Sequence, residues 1–177
     1  MVNRLAVSIL IHCTLCLSCG CGYSHTGSEP QGGYQWRSLY REDVRTVAVP
    51  IFATRSFHRG VEISLSNALA RQIEAQSPYK VAPRERADTI IEGEVVDVAI
   101  DTISSDINNA IPQEQLYAVT VNFTWKDLRT GRVLVDRRNF RQTTTYYPTL
   151  GEGRFVGSQQ AVERLALGIV QEMQADW

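Results

Sequence analysis

The chain has 177 residues, with 18 basic and 19 acidic side chains and a net charge of −1. That balance gives no electrostatic basis for nucleic-acid binding, and the length allows one domain with a modest single core. Its four cysteines are Cys13, Cys16, Cys19 and Cys21, so everything after Cys21 lacks a disulfide, a cysteine zinc site or a thiol nucleophile.

Arg4 precedes an apolar run from Leu5 to Leu17, broken by Ser8, His12, Thr14 and two cysteines. A stable membrane-spanning helix needs about 20 apolar residues, so this run has the length of a secretory signal instead. It ends in Ser18-Cys19-Gly20-Cys21-Gly22-Tyr23. A Cys after small residues at that place is the substrate of lipoprotein signal peptidase, which leaves a diacylglycerol on the new N-terminal thiol. Gly20 before Cys21 favours Cys21 over Cys19. The alternatives are an ordinary cleaved signal with an incidental cysteine pair, or an uncleaved anchor. The expected divisions are a signal peptide over 1–20, a lipidated N-terminus and tether over 21–40, and a folded domain over 41–177. Ser24 to Gly33 is rich in Gly, Ser, Pro and Gln, as a tether should be.

Val44 to Ile51 reads as a strand, with Val47, Val49 and Ile51 on one face and Pro50 marking an edge or exit. A loop follows over Phe52 to Gly60. Val61 to Ala75 reads as a helix with a stripe of Val61, Leu65, Ala68, Leu69 and Ile73, ended by Ser77-Pro78. Tyr79 to Ala82 is a short extended piece. Thr89 to Asp101 is a long strand whose apolar parity changes, which predicts a bulge near Val95-Val96. Ser104 to Gln115 reads as a long polar loop. Tyr117 to Leu128 alternates most cleanly: Tyr117, Val119, Val121, Phe123 and Trp125 face one way. Arg129-Thr130-Gly131 makes a tight turn. Val133 to Tyr146 returns as a polar strand. Pro148 to Gly157 reads as a loop, with Ser158 capping a final helix from Gln159 to about Ala175. The expected fold is α+β: a single mixed four-stranded sheet with two helices packed on one face, in the order strand, helix, three strands, helix.

No catalytic constellation emerges. His58 is the only histidine after the tether, which excludes a His cluster for a metal, and the domain should need neither metal nor cofactor. Ser56 or Ser66 beside His58 lacks a nucleophile-elbow context. Glu92 and Glu94 share a strand face, where carboxylates usually serve solubility. Gly151-Glu152-Gly153 lacks the Lys and glycine spacing of a phosphate loop. Basic residues are more suggestive. Arg129 and Arg132 flank the hairpin turn, Arg137, Arg138 and Arg141 line the last strand, and Arg154 stands beside Phe155. They either pair with neighbouring carboxylates or receive an anionic headgroup.

Four stretches carry a family resemblance: Cys21-Gly22-Tyr23; Val47-Ala48-Val49-Pro50-Ile51-Phe52; Thr54-Arg55-Ser56-Phe57 through Gly60-Val61-Glu62; and Ala87-Asp88-Thr89-Ile90-Ile91-Glu92-Gly93. In their order and spacing they resemble the lipopolysaccharide-assembly lipoproteins, the LptE-like family. The resemblance implies an outer-membrane lipoprotein on the periplasmic face, and the missing catalytic clusters argue against an enzyme. It implies a partner, the LptD-type β-barrel, which the lipoprotein plugs and helps assemble, and it implies lipopolysaccharide binding through basic loops at one end of the sheet. The Ser104 to Gln115 loop departs from that pattern, having no Lys or Arg. Arg154, Phe155, Arg129 and Arg132 are the remaining candidates for lipopolysaccharide contact. Two readings compete: a lipoprotein that regulates a peptidoglycan synthase or forms part of a secretion channel, and a small periplasmic enzyme, which the missing His, Cys and acid clusters argue against.

Mass spectrometry of the mature N-terminus should find a lipid on Cys21. An unmodified terminus, or a lipid on Cys19, would refute the assignment.

Overall fold

The computed structural model describes residues 38–174. The signal segment, Cys21 and the tether up to residue 37 lie outside them. Six strands, not the four expected, form one mixed sheet. They are β1 (Thr46–Ala48), β2 (Ala53–Thr54), β3 (Lys80–Val81), β4 (Thr89–Ser105), β5 (Pro112–Asp127) and β6 (Val133–Tyr146). Helix α1 (Val61–Gln76) lies between β2 and β3, and α2 (Arg154–Glu172) follows β6. The sheet order is β3-β1-β4-β5-β6, with β2 also alongside β4. Strand β1 runs parallel to β3 and β4, while β4, β5 and β6 form an antiparallel meander.

The two extra strands have a local cause. Pro50 has no N–H to give a ladder, so the predicted Val44–Ile51 strand stops at Ala48. Pairing with β4 resumes at Ala53 opposite Glu94, five residues beyond Ala48 against four from Ile90 to Glu94. The extra residue makes a bulge that turns Phe52 inward, 3% exposed. Its ring lies on β4 at Gly93, where any Cβ would collide with the ring and with the Asn122 carbonyl. Its N–H donates to Ser66 Oγ at 3.0 Å, and that hydroxyl donates to Glu62 O at 2.9 Å. The second extra strand, β3, is the predicted extended piece at Tyr79–Ala82 joining the sheet.

The bulge expected near Val95-Val96 is present, as a register shift between Val95 and Asp97 against β5. It leaves both Val95 and Val98 on the helix side, buried. A second shift, between Val121 and Phe123 against β6, leaves Asn139 at φ 52, and Asn122 Oδ1 accepts its N–H at 2.8 Å. The predicted Ser104–Gln115 loop shrinks, because β4 runs on to Ser105 and β5 begins at Pro112.

Both helices pack on one side of the sheet and on each other, as their single stripes require. Leu65, Leu69 and Ile73 of α1 meet Leu165 and Ile169 of α2 in a core with Ile91, Val121, Phe123 and Trp125. Phe123 stacks edge-on with Phe140, centroids 5.6 Å apart, and Tyr79 lies 5.9 Å from Trp125. Arg71 and Gln72 both donate to the Glu163 carboxylate, linking α1 to α2. Helix α2 begins at Arg154 rather than after Ser158. Gly157, which reads as a loop residue, is buried within the helix because any Cβ there would strike the Tyr146 ring.

Asp88 fastens β1 to β4. Its Oδ2 accepts from Thr46 Oγ1 at 2.9 Å and from the backbone N–H groups of Thr46 and Arg45 at 3.0 and 3.1 Å. In return, Thr46 Oγ1 accepts the Asp88 N–H at 2.9 Å. The Thr46 hydroxyl, more than any other group, holds the Asp88 carboxyl below its ordinary pKa.

Two outcomes are expected. Phe123 is 1% exposed while Thr124, on the opposite face, is half-buried. Phe123→Ala should cost roughly 3–5 kcal/mol in urea unfolding and Thr124→Ala far less; equal losses would mean the wrong face is core. A depressed carboxyl stabilises the fold above its unfolded value near 4, and that contribution is lost as pH falls through the lower folded value. The stability gap between wild type and Asp88→Asn should therefore be present at pH 7 and narrow below about pH 4. A gap that does not change with pH would refute the ionic form of the clamp.

Candidate functional site

The structure sends the predicted basic residues to opposite ends of the sheet. Arg129 and Arg132 lie at the β5–β6 turn, where Gly131 takes the expected left-handed conformation at φ 72. From there back along β5 to Gln115 is roughly 40 Å of strand. Arg154 and Phe155 lie at the far end. The four candidates therefore do not form one site.

At the turn, Asp127 Oδ1 accepts the N–H groups of Arg129 at 2.7 Å and Thr130 at 3.2 Å. The Arg129 guanidinium stands 3.8 Å from that carboxylate and donates to Asp43 O at 3.3 Å. The Arg129 N–H is the largest cause of the lowered Asp127 pKa. Arg129 is thus spent on closing the turn and tying it to the segment before β1. Arg132 makes no ion pair among the described residues; its N–H donates to Thr130 Oγ1 at 3.3 Å.

Of the basic residues of β6, Arg137 and Arg138 follow the pairing alternative, while Arg141 is exposed and makes no ion pair among the described residues. Arg137 reaches α2 and meets Glu172 at 2.6 Å, and Arg138 lies 3.5 Å from Asp136. On the face away from the helices, Glu92 and Glu94 do not act as a pair. Glu92 is taken by Lys126 at 2.5 Å and Arg84 at 2.8 Å, and Glu94 by Arg55 at 2.6 Å. The Lys126 bond is the main cause of the lowered Glu92 pKa. Ser66, once a nucleophile candidate, has its hydroxyl committed to Phe52 and Glu62.

The Arg154 end is different. An open groove of about 440 Å³ runs between the end of the meander and the start of α2, lined by Ile100, Gln115, Tyr146, Glu152 and Arg154 among others. Tyr146 Oη donates to Gln115 Oε1 at 2.7 Å, and Glu152 Oε2 accepts the Tyr147 N–H at 2.8 Å. These bonds fix the floor of the groove and the loop beside it. Arg154 is exposed and makes no ion pair among the described residues. It occupies the first turn of α2, which carries no acidic residue and no side-chain cap. That end of a helix holds partial positive charge and free N–H groups, so an arginine there adds cation to cation. Phe155 is 72% exposed. It also lines a smaller groove of about 220 Å³ between the helices, with Ser64, Asn67, Arg71 and Ser158.

The sequence reading missed the apolar character of this end. Ile107 is 97%, Leu150 77%, Ile103 53% and Ile111 50% exposed. Three isoleucines at spacing four, two of them inside the Ser104–Gln115 stretch that reads as polar loop, are the available signal.

No curated protein sequence matches the chain. Among solved structures, a PelC dodecamer from Paraburkholderia phytofirmans is similar in fold, with TM-score 0.52 and 16% identity over 84% of this chain and 100% of that one. Lipoprotein B from Nitrosomonas europaea gives TM-score 0.48 and 14% identity over 78% and 90% of the two chains. Lipoprotein GNA1162 from Neisseria meningitidis gives 0.44 and 11% over 73% and 97%. The lipopolysaccharide-assembly family model, LptE, matches residues 44–176. That span takes in the bulge that seats Phe52, the meander and both helices, and on it the chain belongs to the LptE family of lipopolysaccharide-assembly proteins.

Proposed function

We propose that this protein is an outer-membrane lipoprotein, anchored through Cys21 on the periplasmic face, that docks in an LptD-type β-barrel and helps it assemble for lipopolysaccharide insertion. The family match across the whole folded domain carries this reading. The tether from Cys21 to the start of the domain gives the anchored protein reach. The protein acts by binding and positioning rather than by bond chemistry.

Lipopolysaccharide meets the chain at the Arg154 end. Its phosphates are dianionic, and a guanidinium can pair with phosphate through two parallel N–H bonds. The free N–H groups at the start of α2 add donors in the same place. Phe155 and Leu150 supply apolar surface beside that charge. Arg129, already bonded to Asp127 and Asp43, contributes little to the contact, and Arg132 stands too far away to share a headgroup with Arg154.

Arg154→Ala should weaken binding of the purified protein to lipopolysaccharide severalfold, with the loss shrinking as salt rises. Its thermal midpoint should not fall by more than about 2 °C, since an exposed substitution usually stays within about 0.5 kcal/mol and removing a cation from a helix start does not weaken the helix. Unchanged lipopolysaccharide binding would remove Arg154 from the contact and leave only the barrel role.

A further inference from the structure

The β4–β5 hairpin is well bonded and badly covered. Asp106 and Ile111 close it through a backbone bond of 2.9 Å, and Asp106 Oδ1 accepts the Asn108 N–H at 2.7 Å. Gln115 Nε2 bridges to Thr102 Oγ1 at 3.2 Å across the strands. On this ordered frame Ile103, Ile107 and Ile111 face solvent, with no partner in the domain's own core. A cluster of exposed aliphatic side chains on an ordered hairpin marks an interaction surface.

Two observations say what covers it. The first is charge. From Thr102 to Trp125 the chain has no Lys or Arg, while Asp101, Asp106 and Glu114 surround the isoleucines. An anionic lipid surface is repelled by that rim; a surface bearing Lys or Arg is attracted. The second is the backbone. Strand β2 last pairs with β4 at Thr54–Val95, and Arg55 N–H donates to Val95 O at 2.9 Å. From Asp97 to Ser105, roughly 25 Å of strand, the outer edge of β4 has no strand beside it among the described residues. Hydrocarbon cannot satisfy the N–H and C=O groups of such an edge, whereas a protein strand can.

We infer that the β4–β5 hairpin is a protein-docking element, seated in an apolar pocket rimmed by Lys or Arg on the barrel partner, and that it is separate from the lipid contact at Arg154. The inference rests on the barrel reading proposed above and names the part of this chain that makes the contact. Ile107 is the anchor, Asp101 and Glu114 meet the basic rim, and the free edge of β4 receives a strand of the partner. Lipopolysaccharide and barrel are thus held by neighbouring but chemically opposite surfaces at one end of the sheet.

The test uses the full-length lipoprotein, tagged and co-expressed with its barrel, with the barrel recovered in detergent. Ile107→Asp and Asp101→Asn should each lower the recovered barrel, Ile107→Asp by at least about tenfold, while the thermal midpoint holds and lipopolysaccharide binding is not lost. A photo-crosslinker in place of Ile107 should give an adduct with the barrel. Full recovery of the barrel with Ile107→Asp overturns the hairpin assignment and leaves the barrel reading standing. Loss of lipopolysaccharide binding by Ile107→Asp, with barrel recovery intact, assigns the tip to lipid instead and overturns it as well. A wild-type self-association that Ile107→Asp abolishes replaces the barrel pocket with a second copy of the chain. Wild-type protein that recovers no barrel at all overturns the barrel reading, and the inference with it.

Discussion

Phe52 sits where three parts of the fold must agree. Its ring needs the bare backbone at Gly93, its N–H needs the Ser66 hydroxyl on α1, and its inward turn needs the bulge made by Pro50. Close packing leaves no slack for a Cβ at that point. The edge strand, the first helix and the long central strand are therefore registered against one another by a single aromatic side chain. The Asp88–Thr46 clamp repeats the registration at the lower end of the same strand pair. Everything beyond, the meander and α2, is built outward from a β4 whose position these contacts determine.

Much of this was legible in the chain, and the failures have identifiable causes. The clean alternation from Tyr117 to Trp125 marks a half-buried strand because one face packs on helices and the other faces water. The parity change at Val95-Val96 marks a real bulge for the same reason. Gly157 and Pro50 each carry less than the structure around them. Gly157 suggested a loop but serves close helix packing on Tyr146, so the helix was begun too late and Arg154 was placed in a loop. Pro50 marks an edge or exit, and β1 does end before it, but the pattern hides that pairing resumes at Ala53. Pairing across such a gap depends on partners some forty residues away, which local pattern does not encode.

The site was harder to read than the fold. Arginine is visible in sequence, but whether it is already occupied is decided by what lies opposite. Arg129 and Arg137 are spoken for by Asp127 and Glu172, the second from a helix 35 residues on. Arg154 stands apart because α2 starts one turn earlier than its capping pattern suggested. The isoleucines of the hairpin were hidden by their polar neighbours, since composition averages over a tip whose side chains project separately. Two kinds of surface then share one end of the molecule: a cationic, aromatic one at the start of α2, and an acidic, aliphatic one on the hairpin.

The edge of β4 that no strand among the described residues covers has a cost for the molecule on its own. A straight free edge is a template for pairing with any other chain, including copies of itself. This one is not straight. Register shifts between Thr102 and Ser104 and between Ser104 and Ser105 twist it at the tip, and Asp97 and Asp101 place charge along its length. Such features discourage edge-to-edge stacking without closing the edge to a partner shaped for it. On the barrel reading proposed above, protein made in excess of that partner carries the hazard longest, so balanced supply of the two chains is itself a protection against aggregation.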